Sequence, residues 1–484
     1  MSLAVRAARG AIWNIGTSVG TRLIGVVGTL VLARLLDPDT IGEVLVATAL
    51  VLTAKQLSHI GFGQYVIANK PDRDGVFHAT ALMLGTIALA FAVLWWLRAP
   101  LSAAFGAPDA ARYVPALVVG AFLQRVGYTV SRVLARDLRF RAVAIGNSLG
   151  ELAYPIVAVG LAWAGWGGDA IAAAFVARGA VQAAAFIAAA DRREWLSPCR
   201  LSWARTVEIL RFGVPLWIAS LAHFASRQWD NLLVSRFFGA HAVGIYNYGY
   251  NLADIPASQV GEHIGDVLLP SFATIAPDQR RRALARATSL LALVVFPLAT
   301  GLGAVAHTLV AVIFNEQWQA VAPVLVILSS LSVVRPVGWT INSYLVALHR
   351  TGAVMLLEFI KLGALMALIA ALSPLGIEWV CAGVGLAFAA NAAASVWLVR
   401  RADGIPAGPL VAGLIGPLMA CGPMVGAVLG VRHVAAAMGW PATASLVAEL
   451  FTGAVVYVPA ALVLAPATSR DLIGLVRKAL RRGA

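Results

Sequence analysis

The sequence has few charged residues and few cysteines for its length. Of its 484 residues only 12% are charged, whereas 60% are hydrophobic. A soluble domain has about 25% charged and about 45–50% apolar residues, so this composition excludes an ordinary soluble protein and predicts an integral membrane protein. The three cysteines are Cys199, Cys381 and Cys421. Their odd number, with two of them inside apolar runs, argues against a disulfide framework.

The sequence also lacks a zinc-binding motif and a phosphate-loop motif. Neither metal catalysis nor ATP binding is therefore predicted, and no cofactor is expected. Energy for transport would have to come from an ion gradient or from the substrate. Because no A-x-A-like cleavage site accompanies the first apolar segment, we expect no cleavable signal peptide and a first segment that stays as the first span.

Apolar segments of roughly 20 residues recur along the whole chain. Fourteen of them are predicted to span the membrane, with approximate limits 11–33, 42–66, 76–97, 113–135, 142–164, 170–190, 212–235, 243–269, 288–314, 320–347, 353–373, 377–399, 408–431 and 442–466. The predicted fold class is therefore an all-α integral membrane protein with about 14 transmembrane helices.

Lysine and arginine lie mostly on one side of this predicted topology. The connections on that side carry 25 of them, and those on the opposite side carry 5. This bias predicts that both termini lie in the cytoplasm. It also accounts for the net charge of +14, so the basic excess is a topology signal and nucleic acid is not a predicted partner.

The chain contains an internal repeat. The end of span 1, "ARLLDPDTIGEV", matches the end of span 7, "SRFFGAHAVGIY", so that Arg34 aligns with Arg236 and Gly42 with Gly244, both at an offset of 202 residues. Spans 6 and 12 also correspond, since each begins near an acid and ends in a pair of arginines. A repeat of six spans starts both halves on the same side of the membrane, which is a parallel repeat of the kind that transporters have.

The predicted domain organisation follows from the spans and the repeat. An N-terminal lobe over 1–190 (spans 1–6) is joined by a cytoplasmic amphipathic linker, 191–211, to a C-terminal lobe over 212–400 (spans 7–12). Spans 13 and 14, within 401–468, and a basic cytoplasmic tail, 469–484, lie outside the repeat. For the linker and the tail, a helix on the membrane surface and a solvated basic segment are both compatible with the sequence.

Four segments carry a resemblance to a known family: "ARLLDPDTIGEV", "FFGAHAVGIYNYGYNLADIP", "FPLATGLGAVAHTLVAVIFNEQW" and "INSYLVALHRTG". They resemble the polysaccharide transporters (Wzx-type lipid-linked oligosaccharide flippases) of the multidrug/oligosaccharidyl-lipid/polysaccharide (MOP) exporter superfamily. The resemblance implies that an undecaprenyl-diphosphate-linked oligosaccharide, the repeat unit of an exopolysaccharide, capsule or O-antigen, is flipped from the cytoplasmic to the periplasmic leaflet of a bacterial inner membrane. It also implies alternating access, two MATE-like six-helix lobes around a central cavity, and a monomer that works with polysaccharide assembly proteins.

Away from the span ends, seven lysines and arginines lie inside predicted spans, where a charged side chain is costly and normally faces protein or a water-filled cavity. Arg22 lies on a stripe of polar and small residues in span 1, and Lys55 on a weaker stripe in span 2. Away from their ends, the first six spans hold four bases but only one acid, Glu151. Guanidinium groups match phosphate oxygens, so the residues predicted to bind the diphosphate in a cationic central cavity are Arg22, Lys55, Arg125, Arg178 and Arg227.

Spans 7–12 hold more acids than bases. Among these acids, Asp230, Asp254 and Glu358 are predicted to include the site for a coupling H⁺ or Na⁺. Ion pairing within the protein is the alternative, because Arg227 with Asp230 and Lys361 with Glu358 stand at i,i+3 positions of predicted helices. Glu151 is likewise able to neutralise one base of the first lobe. Glu449, in span 14, is a further intramembrane acid.

Two other functions were open at this level, although the protein is predicted not to be an enzyme. A membrane glycosyltransferase or polymerase acting on lipid-linked sugar is suggested by the acidic triplet Asp37-Pro38-Asp39, which resembles a metal-binding motif but is also an ordinary turn and helix start. A cation-coupled drug antiporter of the same superfamily would favour an acidic, aromatic cavity in the first lobe, whereas this lobe is basic.

Overall fold

The structure is a computed structural model that describes residues 24–482 apart from 26, 70, 275, 277 and 278. In these residues it consists of helices and the short connections between them. Eleven helices in this part of the chain are long and apolar enough to cross a membrane, and a bent pair, Trp203–Ile218 with Ser220–Ile255, would make twelve. The eleven correspond to predicted spans 2–6 and 9–14. The all-α membrane fold class is thereby confirmed. The number fourteen stays a prediction, because span 1 lies mostly outside the described residues.

Contacts divide the chain into two compact units, one ending at Gly244 and the other beginning at Ile245. In the first unit, α1 covers residues 27–35. It is followed by α2 (Pro38–Leu57), α3 (Phe62–Asn69), α4 (Arg73–Ala104), α5 (Val114–Arg136), α6 (Phe140–Trp163), α7 (Gly168–Ala189), α8 (Arg192–Trp195) and the start of α9 (Trp203–Thr274). The predicted lobe boundaries stay a prediction, and the division by contacts lies inside α9.

The acidic triplet 37–39 forms the start of α2. The Asp37 carboxylate accepts a hydrogen bond from the Thr40 backbone N–H at 2.7 Å and so caps the helix. Pro38 occupies the first turn, where its missing N–H costs nothing. The triplet is therefore explained as a helix start, and it offers no support for an enzyme.

Helix α2 ends earlier than predicted. The sequence predicted one span from 42 to 66, but the structure has a non-helical break at 58–61 before α3 begins. At this break the backbone of Gly61, with φ +64°, lies against Gly213 of α9, and a Cβ on Gly213 would clash with the Ile60 carbonyl. Only glycine permits the two backbones to approach so closely at a positive φ.

The core of the first unit lies around α3, α4 and α5. Phe62, Met83, Leu134 and Phe186 are buried together there, and α7 packs along both α5 and α6. Ile209 belongs to the same core although it lies in the predicted linker, whose last residues are the first turns of α9. This end of the predicted linker is therefore packed on protein.

Two segments of the first unit that the predicted repeat relates to each other are in contact. A Cβ at Gly42 in α2 would clash with the backbone carbonyl of Ala240, and a Cβ at Gly244 would clash with the carbonyl of Pro38. The members of each pair of equivalent positions, 38 with 240 and 42 with 244, are 202 residues apart. The contact of Gly42 with Ala240 is thus repeated by the equivalent positions, Gly244 with Pro38, as in a contact across a two-fold axis. The predicted loop between spans 7 and 8 is here a kink inside α9 at Gly239, whose φ is +80°.

The second unit contains the remainder of α9 and the helices α10 (Arg280–Ile313), α11 (Val321–Leu331), α12 (Arg335–Ala347), α13 (Thr351–Leu372), α14 (Ile377–Asp403), α15 (Ala407–Ala437), α16 (Ala442–Leu464) and α17 (Pro466–Arg482). The long helix α10 packs along α11, α15 and α16. In both units large apolar side chains also face outward, such as Trp96, Trp163 and Phe451. Their exposure is what a lipid-facing surface requires.

Candidate functional site

A cavity of about 150 Å³ lies in the first unit between the end of α2 and helices α5, α6 and α7. Its lining contains three cationic side chains, those of Lys55, Arg125 and Arg132, and no acid among the described lining residues. Gln124, Tyr128, Ser131, Asn147 and Gln182 supply polar groups. Three cations with no acid among them make this cavity electrostatically suited to an anion.

Lys55 and Arg125 are held in place by neutral partners. The Lys55 ammonium donates to Gln124 Oε1 at 2.8 Å. One terminal nitrogen of Arg125 lies 2.9 Å from His59 Nδ1, and the other donates to the Lys55 carbonyl at 3.1 Å. That carbonyl lies in the last turn of α2, where the helix ladder stops and leaves acceptors to be satisfied. The sequence predicted both cations, and the structure places them together.

Arg125 and Arg132 flank one aromatic ring. They stand seven residues apart on α5, and their guanidinium carbons lie 5.3 and 4.5 Å from the ring centroid of Tyr128 between them. The face of an aromatic ring attracts cations, so Tyr128 holds both arginines on the cavity side of α5 without neutralising their charge.

Several donors in this cavity have no hydrogen-bond partner among the described residues. They are the Nε of Arg125, the Nε of Arg132 and the amide nitrogen of Gln124. Arg125 is only 3% exposed. A buried donor left unsatisfied costs about 1–3 kcal/mol, so three of them around one space indicate that water or an anionic ligand accepts hydrogen bonds there.

Arg178 belongs to a different arrangement. Its guanidinium, on α7, forms an ion pair with Glu151 on α6, and it is not among the residues that line the cavity. Glu151, the acid that the sequence offered as a partner for one base of the first lobe, therefore pairs with Arg178. This pairing leaves Lys55, Arg125 and Arg132 as the unneutralised group.

The other two predicted diphosphate ligands lie elsewhere. Arg22 is outside the described residues. Arg227 lies on α9 with an exposed side chain and is not part of the cavity lining. The structure thus brings two of the five predicted ligands together, Lys55 and Arg125, and adds Arg132.

Sequence reasoning missed Arg132 because it counted that residue, near the end of span 4, among the basic residues of the cytoplasmic side. In the structure Arg132 lies on α5, one turn before the helix ends at Arg136. The signal was present in the sequence as the spacing 124, 125, 128, 131, 132 and 135, which is one face of a helix.

The predicted coupling acids all lie in helices. Asp254 forms an ion pair with Arg335 of α12, and Arg335 also stacks on Phe388 at 4.3 Å. Glu358 pairs with Lys361 at 2.8 Å, which is the i,i+3 alternative that the sequence had left open. Asp230 is 1% exposed and accepts from the Asn231 backbone N–H at 2.9 Å.

A sequence model of the polysaccharide biosynthesis protein family matches residues 31–323, more than half of the chain. The chain belongs to this family. The family prediction made from the four quoted segments is confirmed.

Among curated relatives in this family, the succinoglycan biosynthesis transport protein ExoT of Rhizobium meliloti is 27% identical over 320 residues. The match covers 66% of this chain and 64% of ExoT, so the chain spans slightly less than two thirds of that relative's length. That relative is named as a transport protein. Its name agrees with the expectation that the present protein is not an enzyme.

Solved structures with the same fold include a lipid II flippase, MurJ, in an inward closed conformation, with a TM-score of 0.76 and 12% identity over 96% of this chain and 100% of that one. A multidrug resistance MATE family transporter of the MOP superfamily follows with a TM-score of 0.61 and 14% identity, over 79% of this chain and 94% of that one. At such identities the likeness concerns the fold alone. It agrees with the predicted MOP/MATE-like architecture.

Proposed function

We propose that this protein is a flippase that moves an undecaprenyl-diphosphate-linked oligosaccharide from the cytoplasmic to the periplasmic leaflet of a bacterial inner membrane. The observation that carries the proposal is the cavity lined by Lys55, Arg125 and Arg132, whose described lining residues include no acid. A diphosphate is the anionic part of such a lipid. Arginine forks make paired hydrogen bonds to phosphate oxygens.

Two comparisons support the transport of a lipid-linked sugar. ExoT is named as a transport protein of polysaccharide biosynthesis, and MurJ is named as a flippase of lipid II. The bias of lysine and arginine to one side supports cytoplasmic termini. With that orientation the segments around Gly42 and Gly244 lie at the periplasmic side.

Alternating access supplies a role for the contact between those two segments. In an arrangement open to the cytoplasm the periplasmic side must be sealed. The packing of Gly42 on Ala240 and of Gly244 on Pro38, with His241 Nδ1 2.9 Å from Asp39 Oδ2, is a contact of the kind that closes such a side. Release of the oligosaccharide to the periplasm would then require these segments to separate.

A coupling ion completes the proposed cycle. H⁺ or Na⁺ entering down its gradient would reset the carrier, and Asp230, Asp254 and Glu358 are the proposed coupling acids. The ion pairs of Asp254 with Arg335 and of Glu358 with Lys361 mean that a proton or sodium ion would have to compete with a cationic side chain there.

The test uses the full-length protein in proteoliposomes with a fluorescent undecaprenyl-diphosphate oligosaccharide. Translocation is read as the fraction of fluorophore that a membrane-impermeant quencher reaches over time. Arg125→Ala and Arg132→Ala should each lower the translocation rate by about tenfold or more, since hydrogen bonds to charged groups contribute about 1.5–3 kcal/mol. Arg139→Ala, on an exposed arginine outside the cavity, is the matched control and should translocate normally.

Two outcomes would contradict the proposal. Normal translocation by both cavity variants would remove the diphosphate role from the cavity. Uptake or efflux of an organic cation by the wild type, with no movement of the lipid-linked sugar, would instead favour the antiporter that the sequence had left open.

A further inference from the structure

Glu449 of α16 is a fully buried acid outside the proposed transport cavity. Its side chain is 0% exposed. One carboxylate oxygen, Oε1, accepts from Thr308 Oγ1 of α10 and from Ser445 Oγ of α16, both at 2.8 Å. The other oxygen, Oε2, is buried and has no partner among the described residues.

The charged groups on the surrounding helices do not compensate this acid. On α10 the neighbouring His307 is exposed. On α15, Arg432 donates to the Ala304 carbonyl at 3.4 Å, and His433 lies next to it on the same helix. The charged residues of α17 begin 21 positions further along the chain, beyond the opposite end of α16. In the described part of the chain, Glu449 forms no ion pair with any of these groups.

Two partly buried acids of this unit differ from Glu449 in their partners. Asp254 and Glu358 each have a basic side chain within ion-pair distance, whereas the hydrogen-bond partners of Glu449 in the described part of the chain are two hydroxyl groups. Ala304 and Val305 of α10 form a buried apolar cluster with Val428 of α15. A buried carboxylate is costly unless a positive charge accompanies it. In the described part of the chain no side chain provides that charge, so neutralising Glu449 requires a bound cation or a proton.

We propose that Glu449, Thr308 and Ser445 form a binding site for a monovalent cation, Na⁺ or H⁺, between α10 and α16. One carboxylate balances one positive charge, which disfavours a divalent ion. The three side chains offer only oxygen atoms, which suit a hard cation. The unpartnered Oε2 is the atom left to complete the binding of a sodium ion or to carry the proton.

The site would join α10, which belongs to the predicted six-span repeat, to α16, which lies outside it. A cation bridging α10 and α16 stabilises their packing, and its loss loosens it. A role for this site in coupling rests on the proposed flippase function, whereas the binding of the cation does not depend on that function.

The experiment measures thermal unfolding of the purified full-length protein in lipid nanodiscs, with NaCl exchanged for choline chloride at constant ionic strength and pH. A ligand that binds only the folded state raises the unfolding temperature as its concentration increases. Sodium should raise it for the wild type. In Glu449→Gln the rise should disappear, and in Thr308→Val and Ser445→Ala the apparent sodium affinity should fall by about tenfold or more.

Thr288→Val is the matched control. It removes a buried hydroxyl from the same helix, but one that hydrogen-bonds the helix's own Leu284 carbonyl, so its sodium response should equal that of the wild type. Each variant is compared with itself in choline, so a general loss of stability does not imitate loss of the site. If Glu449→Gln does not fold, the two hydroxyl variants decide.

The proton arm uses infrared spectroscopy of the same samples. A band of a protonated carboxylic acid that is present in the wild type and absent in Glu449→Gln, together with no sodium response, identifies the cation as H⁺. If the sodium response persists in Glu449→Gln and the two hydroxyl variants, or if the wild type has neither the response nor the band, the proposal is overturned. Neither readout depends on transport, so a failed translocation assay with an intact sodium response would contradict only the flippase function.

Discussion

The guanidinium of Arg125 donates a hydrogen bond to the main-chain carbonyl of Lys55 at 3.1 Å. The carbonyl belongs to the final turn of α2, just before the break at 58–61. Arg125 therefore has two tasks, because it satisfies a helix end and also lines the cationic cavity.

Replacing Arg125 should affect both tasks. Arg125→Ala leaves the Lys55 carbonyl without this donor, which costs about 1–3 kcal/mol of stability, and it removes a cavity charge. Arg125→Lys keeps the positive charge but cannot make the forked contact to a phosphate, so it should keep only part of the export activity. The measurement is polymer export normalised to membrane protein level. Full activity of Arg125→Ala at normal protein level would show that the cavity charge is dispensable.

Asp254 and Arg335 offer a test of whether a buried acid is structural or coupling. Their side chains are 17% and 8% exposed, so removing one partner leaves a buried charge and should destabilise by about 3–5 kcal/mol. Asp254→Asn should lower the stability of the folded protein. The double variant Asp254→Asn with Arg335→Gln should restore that stability, and thermal unfolding in detergent measures both.

Export by the double variant then separates the two roles. Restored folding with restored export indicates an ion pair that only holds helices together. Restored folding with lost ion dependence of export indicates that Asp254 is a coupling acid.

Gly42 and Gly244 should tolerate no side chain if the contact between their segments must form during transport. Gly42→Val and Gly244→Val force apart two backbones, at a cost of about 1–3 kcal/mol or more, so export should be lost while the protein still inserts. Gly160→Val is the control, because a Cβ at Gly160 meets nothing within 4 Å. Equal export by all three variants would contradict a role for this contact.

The polar contact at the same place should matter less. Asp39 and His241 have side chains that are 63% and 53% exposed. Exposed pairs of this kind contribute about 0–1 kcal/mol, so Asp39→Asn should leave unfolding temperature and export nearly unchanged. A large loss of export by Asp39→Asn would mean that the carboxylate itself takes part in transport.

Arg22 lies outside the described residues, and its predicted role as a diphosphate ligand stays a prediction. Arg22→Ala should abolish export while the protein still inserts, since the removed charge opposes insertion. Arg22→Lys should restore part of it. Loss of the protein from the membrane in Arg22→Ala would favour a structural ion pair instead.

The transmembrane helices were predictable because span length and apolar composition are properties of single segments. The break in α2 was not, since the run from Leu57 to Val66 has no proline and no lysine, arginine, aspartate or glutamate, and its glycines, Gly61 and Gly63, are also common inside transmembrane helices. What fixes the break is the close approach of Gly213, which is 152 positions away in the sequence. A contact between distant backbones leaves little trace in local composition.

The cationic cavity was also predictable in part. Lys55 and Arg125 stood out as unbalanced charges within apolar spans, and the structure places them at one cavity. The role of Glu449 was hidden, because its hydroxyl partner Thr308 lies 141 residues earlier in the chain. Glu151 pairs with Arg178, 27 residues away. The sequence did not show which of the first lobe's bases this acid would neutralise.

The packing of Gly42 on Ala240 and of Gly244 on Pro38 also constrains how the sequence can evolve. If the repeat arose by duplication of a six-span ancestor, the two copies have not been free to diverge independently at these positions. A side chain at 42 would clash with the backbone at 240, and a side chain at the equivalent position 244 would clash with the backbone at 38. Selection therefore acts on the two halves of the gene jointly here, and homologous sequences should retain small residues at both positions or change them together.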